Sequence, residues 1–105
     1  MMKITKLFDL YDHYNEKYFK NTLPFVDIVY ADLKDAYGYT MTSTASDIVI
    51  LLAKGMNKKD TITTLVHEMI HVKQAHYDQP MDHGKTFKAV AKKIAKKEGW
   101  KRKDI

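Results

Sequence analysis

Two histidines with a glutamate beside the first, His67-Glu68-Met69-Ile70-His71, stand inside the otherwise apolar run Leu65–Val72. Residues four apart on an α-helix project from one face about 40° apart, so both imidazoles reach a single divalent ion. Glu68 then stands at the edge of that face. It is too far round to be a first choice of ligand, yet close enough to take a proton from a water that the ion activates. These residue types at this spacing point to a zinc hydrolase. The bland alternative is a solvated polar strip. On a helical wheel Ile62, Leu65, Val66, Met69, Ile70 and Val72 span roughly 160°, which leaves His67, His71 and Gln74 opposite them and Glu68 at the edge. In a chain this rich in lysine an open strip would be expected to carry some. None occurs between Thr64 and Val72, which favours a lined cleft.

A catalytic zinc normally takes three protein ligands and a water, so two histidines leave the site unfinished. The chain has no cysteine, which removes disulfides and thiolate metal sites and leaves His, Asp and Glu as donors. The candidates are His13, His76, His83 and Glu98. His13 lies off the apolar stripe of its helix and faces water. His76, nine residues after His67, points about 180° away on the same helix. A metzincin would need glycine and histidine where this chain has Gln74 and Tyr77. Glu98 suits the gluzincin pattern, but it stands fifteen helical residues, about 22 Å, beyond His83, so only one of the two can serve. His83 is the better choice. A turn containing Pro80 can bring the start of the last helix back across the cleft, and Gly84 leaves room for a close approach. The predicted site is therefore His67, His71 and His83 as metal ligands with Glu68 catalytic, and zinc is the default ion for three imidazoles.

The elements that must position these groups are legible from periodicity. Residues 5–20 read as a helix capped by Thr5, with Leu7, Leu10, Tyr11, Tyr14 and Tyr18 on the core side and Asn21 as its end. Three strands follow, at 25–30, 37–42 and 47–52, with Gly38 marking a bulge or a close backbone approach. Thr42–Ser46 reads as a turn, and the unbroken apolar stretch of the third strand predicts burial on both its faces. The central helix begins at Asn57 or Asp60 and runs to about Tyr77. Asp78–Asp82 breaks it. A last helix from His83-Gly84 carries Phe87, Val90, Ala91 and Ile94 on one side and Lys85, Lys88, Lys92, Lys93 and Lys96 on the other. Lys101-Arg102-Lys103 is expected to be a disordered basic tail.

A chain of 105 residues predicts one domain, 1–105, with that short tail from about residue 100. The net charge of +5 is compatible with an acidic partner such as DNA, and equally with solubility alone. No apolar leader and no run long enough to span a bilayer are present, so a cytoplasmic protein, monomeric and without membrane contact, is expected.

Three stretches resemble the SprT-like metallopeptidases, the group that includes the Spartan proteases acting on proteins crosslinked to DNA. They are Tyr14-Asn-Glu-Lys-Tyr-Phe19 with Leu23-Pro24, Thr64-Leu-Val-His-Glu-Met-Ile-His71, and Asp82-His-Gly-Lys-Thr-Phe87. The resemblance implies a zincin-like α+β domain of three helices and a small, mainly antiparallel three-stranded sheet. It also implies zinc on His67, His71 and His83, and Glu68 as general base. Many relatives carry a cysteine-rich zinc ribbon or further DNA-binding segments after the protease core, and this chain has no cysteine. The expected reaction is peptide hydrolysis, the substrate a protein or peptide that pairs with an exposed strand edge, and Tyr77 or His76 are candidates for an extra oxyanion donor. Two rival readings stand beside it: a gluzincin-type, regulator-cleaving peptidase using Glu98, and a DNA-binding module with a structural metal and a lysine-rich last helix.

Overall fold

Asn57 starts the helix on which the rest is packed: its side-chain oxygen accepts a hydrogen bond from Asp60 N at 2.7 Å, and Asp60 adds a carboxylate to the positive helix end. In chain order the elements are α1 (Ile4–Phe19), β1 (Asp27–Ala31), β2 (Gly38–Thr44), β3 (Asp47–Ala53), α2 (Lys58–His76) and α3 (Lys85–Glu98), then a 3-10 turn at Arg102–Asp104. The computed structural model describes residues 1–44 and 47–105. Three helices and one three-stranded sheet give the α+β class that the sequence predicts.

The sheet is mixed. Its order is β1-β3-β2, with β1 parallel and β2 antiparallel to the central β3. The expectation of a mainly antiparallel sheet holds for the β2–β3 pair alone, because β1 fills the other edge of β3 in the same direction. Ile48, Ile50 and Leu52 of β3 are buried while Val49 and Leu51 are only half-buried, so β3 is covered on one face and not on both. Period two explains the split. Of the two features that Gly38 could mark, the bulge lies elsewhere, between Thr42 and Thr44. β2 takes up the predicted turn as far as Thr44, and Ala45 and Ser46 are outside the described residues.

α1 begins one residue early, with Lys3 at its N-cap and Thr5 already inside the helix. It closes with Lys20 and Asn21 both left-handed, at φ 53° and 60°. Leu7, Tyr11 and Tyr14 face the core, as the stripe predicts, Leu10 and Tyr18 are half-buried, Phe19 is buried beside them, and the Tyr11 hydroxyl donates to Pro24 O at 2.7 Å. Buried Asn15 donates from Nδ2 to Leu23 O and accepts from Leu23 N at Oδ1, each at 3.1 Å, which turns the chain from α1 towards β1.

α2 is enclosed nearly all round. Leu65, Val66, Met69, Ile70 and Val72 are almost completely buried, and so, on the side predicted polar, are Thr64, Glu68, His71 and Gln74. Truncating Leu65 to alanine is expected to cost about 2–5 kcal/mol. α3 is amphipathic as predicted, with Phe87, Ala91 and Ile94 inward and Lys85, Lys88, Lys92, Lys93 and Lys96 exposed. The basic tail is ordered, contrary to expectation. Asp104 accepts from Lys101 N at 3.1 Å and pairs with Lys59 at 3.3 Å, and Ile105 is buried in the core. Among the described residues no helix is long and apolar enough to cross a membrane.

Candidate metal centre

The spacing on α2 brings His67 and His71 to one side, with ring centroids 5.1 Å apart. His83, two residues before α3, completes the cluster: its Nε2 lies 3.1 Å from His67 Nε2 and 3.0 Å from His71 Nε2. Phe87, one turn into α3, is their floor, with centroids 4.8–5.0 Å from all three imidazoles. Its burial fixes where the start of α3 sits, and that in turn places His83.

The far side of two rings decides their tautomers. His67 Nδ1 is 2.5 Å from the main-chain oxygen of Ile105, and His71 Nδ1 is 2.7 Å from Gln74 Oε1. Both partners are oxygens that only accept, so each Nδ1 carries the proton and each Nε2 keeps its lone pair. Three Nε2 atoms thus meet with more lone pairs than protons between them, an arrangement that a cation satisfies. Tetrahedral zinc with bonds of about 2.0–2.1 Å would hold neighbouring nitrogens roughly 3.3–3.4 Å apart, close to the separations present. The three residues form a group able to hold a metal ion. Burial, with the neighbouring histidines adding to it, holds the His67 and His83 imidazoles below their ordinary proton affinity, and so in the neutral form that binds metal.

Glu68 is 4% exposed and borders the same cluster, Oε2 lying 3.9 Å from His67 Nε2. Thr40 on β2 donates to Glu68 Oε1 at 2.7 Å, which aims the carboxylate. Burial pushes the Glu68 carboxyl up from its ordinary range, and the Thr40 hydrogen bond and His71 pull it partly back. Gly38 is needed for space, not for its backbone angles: a Cβ there would lie 2.6 Å from Thr64 Cγ2 and 3.1 Å from both Cγ and Oε2 of Glu68. This is the close approach that a glycine in a strand foretells.

The cluster opens into a cleft of about 700 Å³. One wall is β2 from Gly38 to Ser43, an edge strand of the sheet, and Met81 and His83 border the other side. Tyr39, Met41 and Met81 are exposed apolar side chains on this lining.

The remaining sequence candidates lie elsewhere. Glu98 accepts from Lys17 Nζ at 2.6 Å and from the Tyr18 hydroxyl, which ties α3 to α1. Against the upward push of burial, these two partners hold its carboxyl below the usual range. It is a packing carboxylate and stands outside the histidine group. His13 is exposed, as predicted. His76 packs edge-on to Tyr77, and Tyr77 lines a separate groove with Tyr18, Phe19 and Val90, so neither offers an oxyanion donor to the cleft. Sequence reasoning missed Thr40, Phe87 and Ile105 as parts of the centre and saw Gln74 only as a member of the polar strip. Thr40 carried a signal, since a threonine two residues after the strand glycine shares the face that meets α2. Ile105 carried none.

A comparison with curated proteins finds no match. The family model described as SprT-like matches residues 7–103, which takes in all three histidines, Glu68, Thr40 and Gly38. The chain belongs to the SprT-like family.

Proposed function

We propose that this protein is a zincin-like, zinc-dependent metallopeptidase that cleaves extended polypeptide segments. The observation that carries the reading is the convergence of His67, His71 and His83 Nε2 atoms with the Glu68 carboxylate beside them, all on one cleft. Bound there, zinc supplies a lowered pKa for water and a Lewis acid for the scissile carbonyl. Glu68 is the general base and afterwards the acid that returns the proton to the leaving amine, and its raised proton affinity suits both roles. Thr40 keeps Oε1 occupied, so Oε2 is the oxygen that works. The edge of β2 runs along the cleft and offers main-chain hydrogen bonds to a substrate strand, which favours broad sequence tolerance. Tyr39, Met41 and Met81 favour apolar side chains in it.

The exposed lysines of α3 support substrates that are held on DNA, through phosphate contacts that weaken with salt. Glu98 engaged on α1 and a carboxylate poised at the histidines argue against the gluzincin and structural-metal readings. The test is the full chain loaded with zinc and offered an unfolded polypeptide. Glu68→Gln is expected to keep zinc and fold while cleavage falls by about 10²–10⁴. Undiminished cleavage by that variant, or none by the unaltered zinc-loaded chain, sinks the proposal.

A further inference from the structure

Gln74 is 4% exposed and uses both ends of its amide. Nε2 donates to the main-chain oxygen of Asp82 at 3.1 Å, while Oε1 faces His71 Nδ1 at 2.7 Å. A carbonyl can only accept, so the amide cannot be turned round: the nitrogen must face Asp82, and the oxygen must then face the ring. Asp82 immediately precedes His83. The loop between α2 and α3 is exposed from Tyr77 to His83 and has little core of its own. Its other ties near this point are local, among them Gln79 N to Gln74 O at 2.7 Å, Asp82 N to Pro80 O at 3.2 Å and Gly84 N to Asp82 Oδ1 at 3.0 Å. One buried side chain therefore sets which nitrogen of His71 is free and, together with Phe87 beneath the rings, where the third histidine hangs. A leucine would suit this helix position by propensity and burial. The amide is held there at the cost of burying two polar groups, both of which are matched.

We propose that Gln74 is a positioning residue of the metal centre, acting through His71 and His83 without touching the ion. The inference rests on the reading of the three histidines as ligands. Its test is the zinc dissociation constant of the full chain, measured by competition with a chromophoric chelator, for the unaltered protein, Gln74→Leu, Gln74→Glu and each of these combined with His83→Ala. Gln74→Leu is expected to weaken zinc roughly ten- to a hundred-fold, the range for residues that orient a ligand. Combined with His83→Ala it is expected to cost clearly less, because the tie to Asp82 then has no ligand to place. Gln74→Glu is isosteric and guards against misfolding of the leucine variant. Its carboxylate still accepts from His71 but has no proton for Asp82 O, so it should weaken zinc less than leucine does and should also make His83→Ala less costly. The inference is overturned if both Gln74 variants bind zinc as tightly as the unaltered chain, or if their losses are the same with and without His83. Failure of the unaltered chain to bind zinc is a different result: it removes the metal reading and this inference with it.

Discussion

Glu68 and His83 border the same cleft and are held in opposite ways. Glu68 rises from a helix enclosed on nearly every side, is clamped by Thr40 and leans on a strand that has no side chain at Gly38. His83 sits on an exposed loop whose buried anchor is another residue's side chain, Gln74. The first position is set by regular structure and tight packing on all sides, the second by a few directional hydrogen bonds and one packing partner, Phe87. Damage on the helix side should therefore show in stability and turnover together, and damage on the loop side chiefly in metal affinity.

The largest expected break is on the loop side. His83→Ala should weaken zinc more than about 100-fold, beyond the range of residues that only orient a ligand, with little change in metal-free stability. Glu98→Ala should leave zinc affinity unchanged and cost about 1 kcal/mol of stability by freeing α3 from α1. Chelator competition and urea unfolding read the two effects, and the reverse pattern would hand the third ligand to Glu98. Next in size is Gly38→Ala. The new Cβ must displace Thr64 and with it the Glu68 side chain, which should cost about 1–3 kcal/mol and lower turnover roughly ten- to a hundred-fold, with zinc retained. Normal turnover in a well-folded Gly38→Ala protein would show that the carboxylate does not depend on its close packing against β2.

The smallest effect is in pH, and it separates the two sides by sign. The His67 and His83 imidazoles take protons less readily in the folded chain than at their ordinary value of 6.5. Below that value the unfolded chain binds more protons, so these groups make the metal-free fold less stable as pH falls. Glu68 does the opposite. Its raised proton affinity means that the folded chain takes the proton first, which adds stability as pH falls towards the carboxylate's ordinary 4.5. Metal-free Glu68→Gln should therefore lose stability more steeply on acidification than the unaltered protein, and should be the more stable of the two at neutral pH. Thermal unfolding from pH 7.5 to 5 measures both.

Most elements were legible in the residues that build them: the apolar stripe from Leu7 to Tyr18 in α1, the unbroken apolar run of β3, which hid that only one of its faces is covered, and the cap at Asn57. His67, Glu68 and His71 were legible for the same reason, being near neighbours on one helix. His83 needed chemistry as well, the demand of an ion for a third donor. What the sequence hid were contacts between elements far apart in the chain. No local pattern says that Thr40 meets Glu68, that β1 runs parallel to β3, or that a basic tail winds back to bury Ile105. The polar strip of α2 could be read from sequence as a lined cleft only through its lack of lysine, because a helical wheel counts apolar residues but does not know how many neighbours a helix has.

The oxygen that fixes His67 belongs to Ile105, 38 positions further along the chain. The histidine group therefore has all its partners only where α3 is docked and the stretch beyond it has wound back. Without that docking His67 and His71 would stand on one helix with no third imidazole beside them. On the proposed reading, zinc capture would report that assembly is finished, and a half-assembled copy would be unarmed.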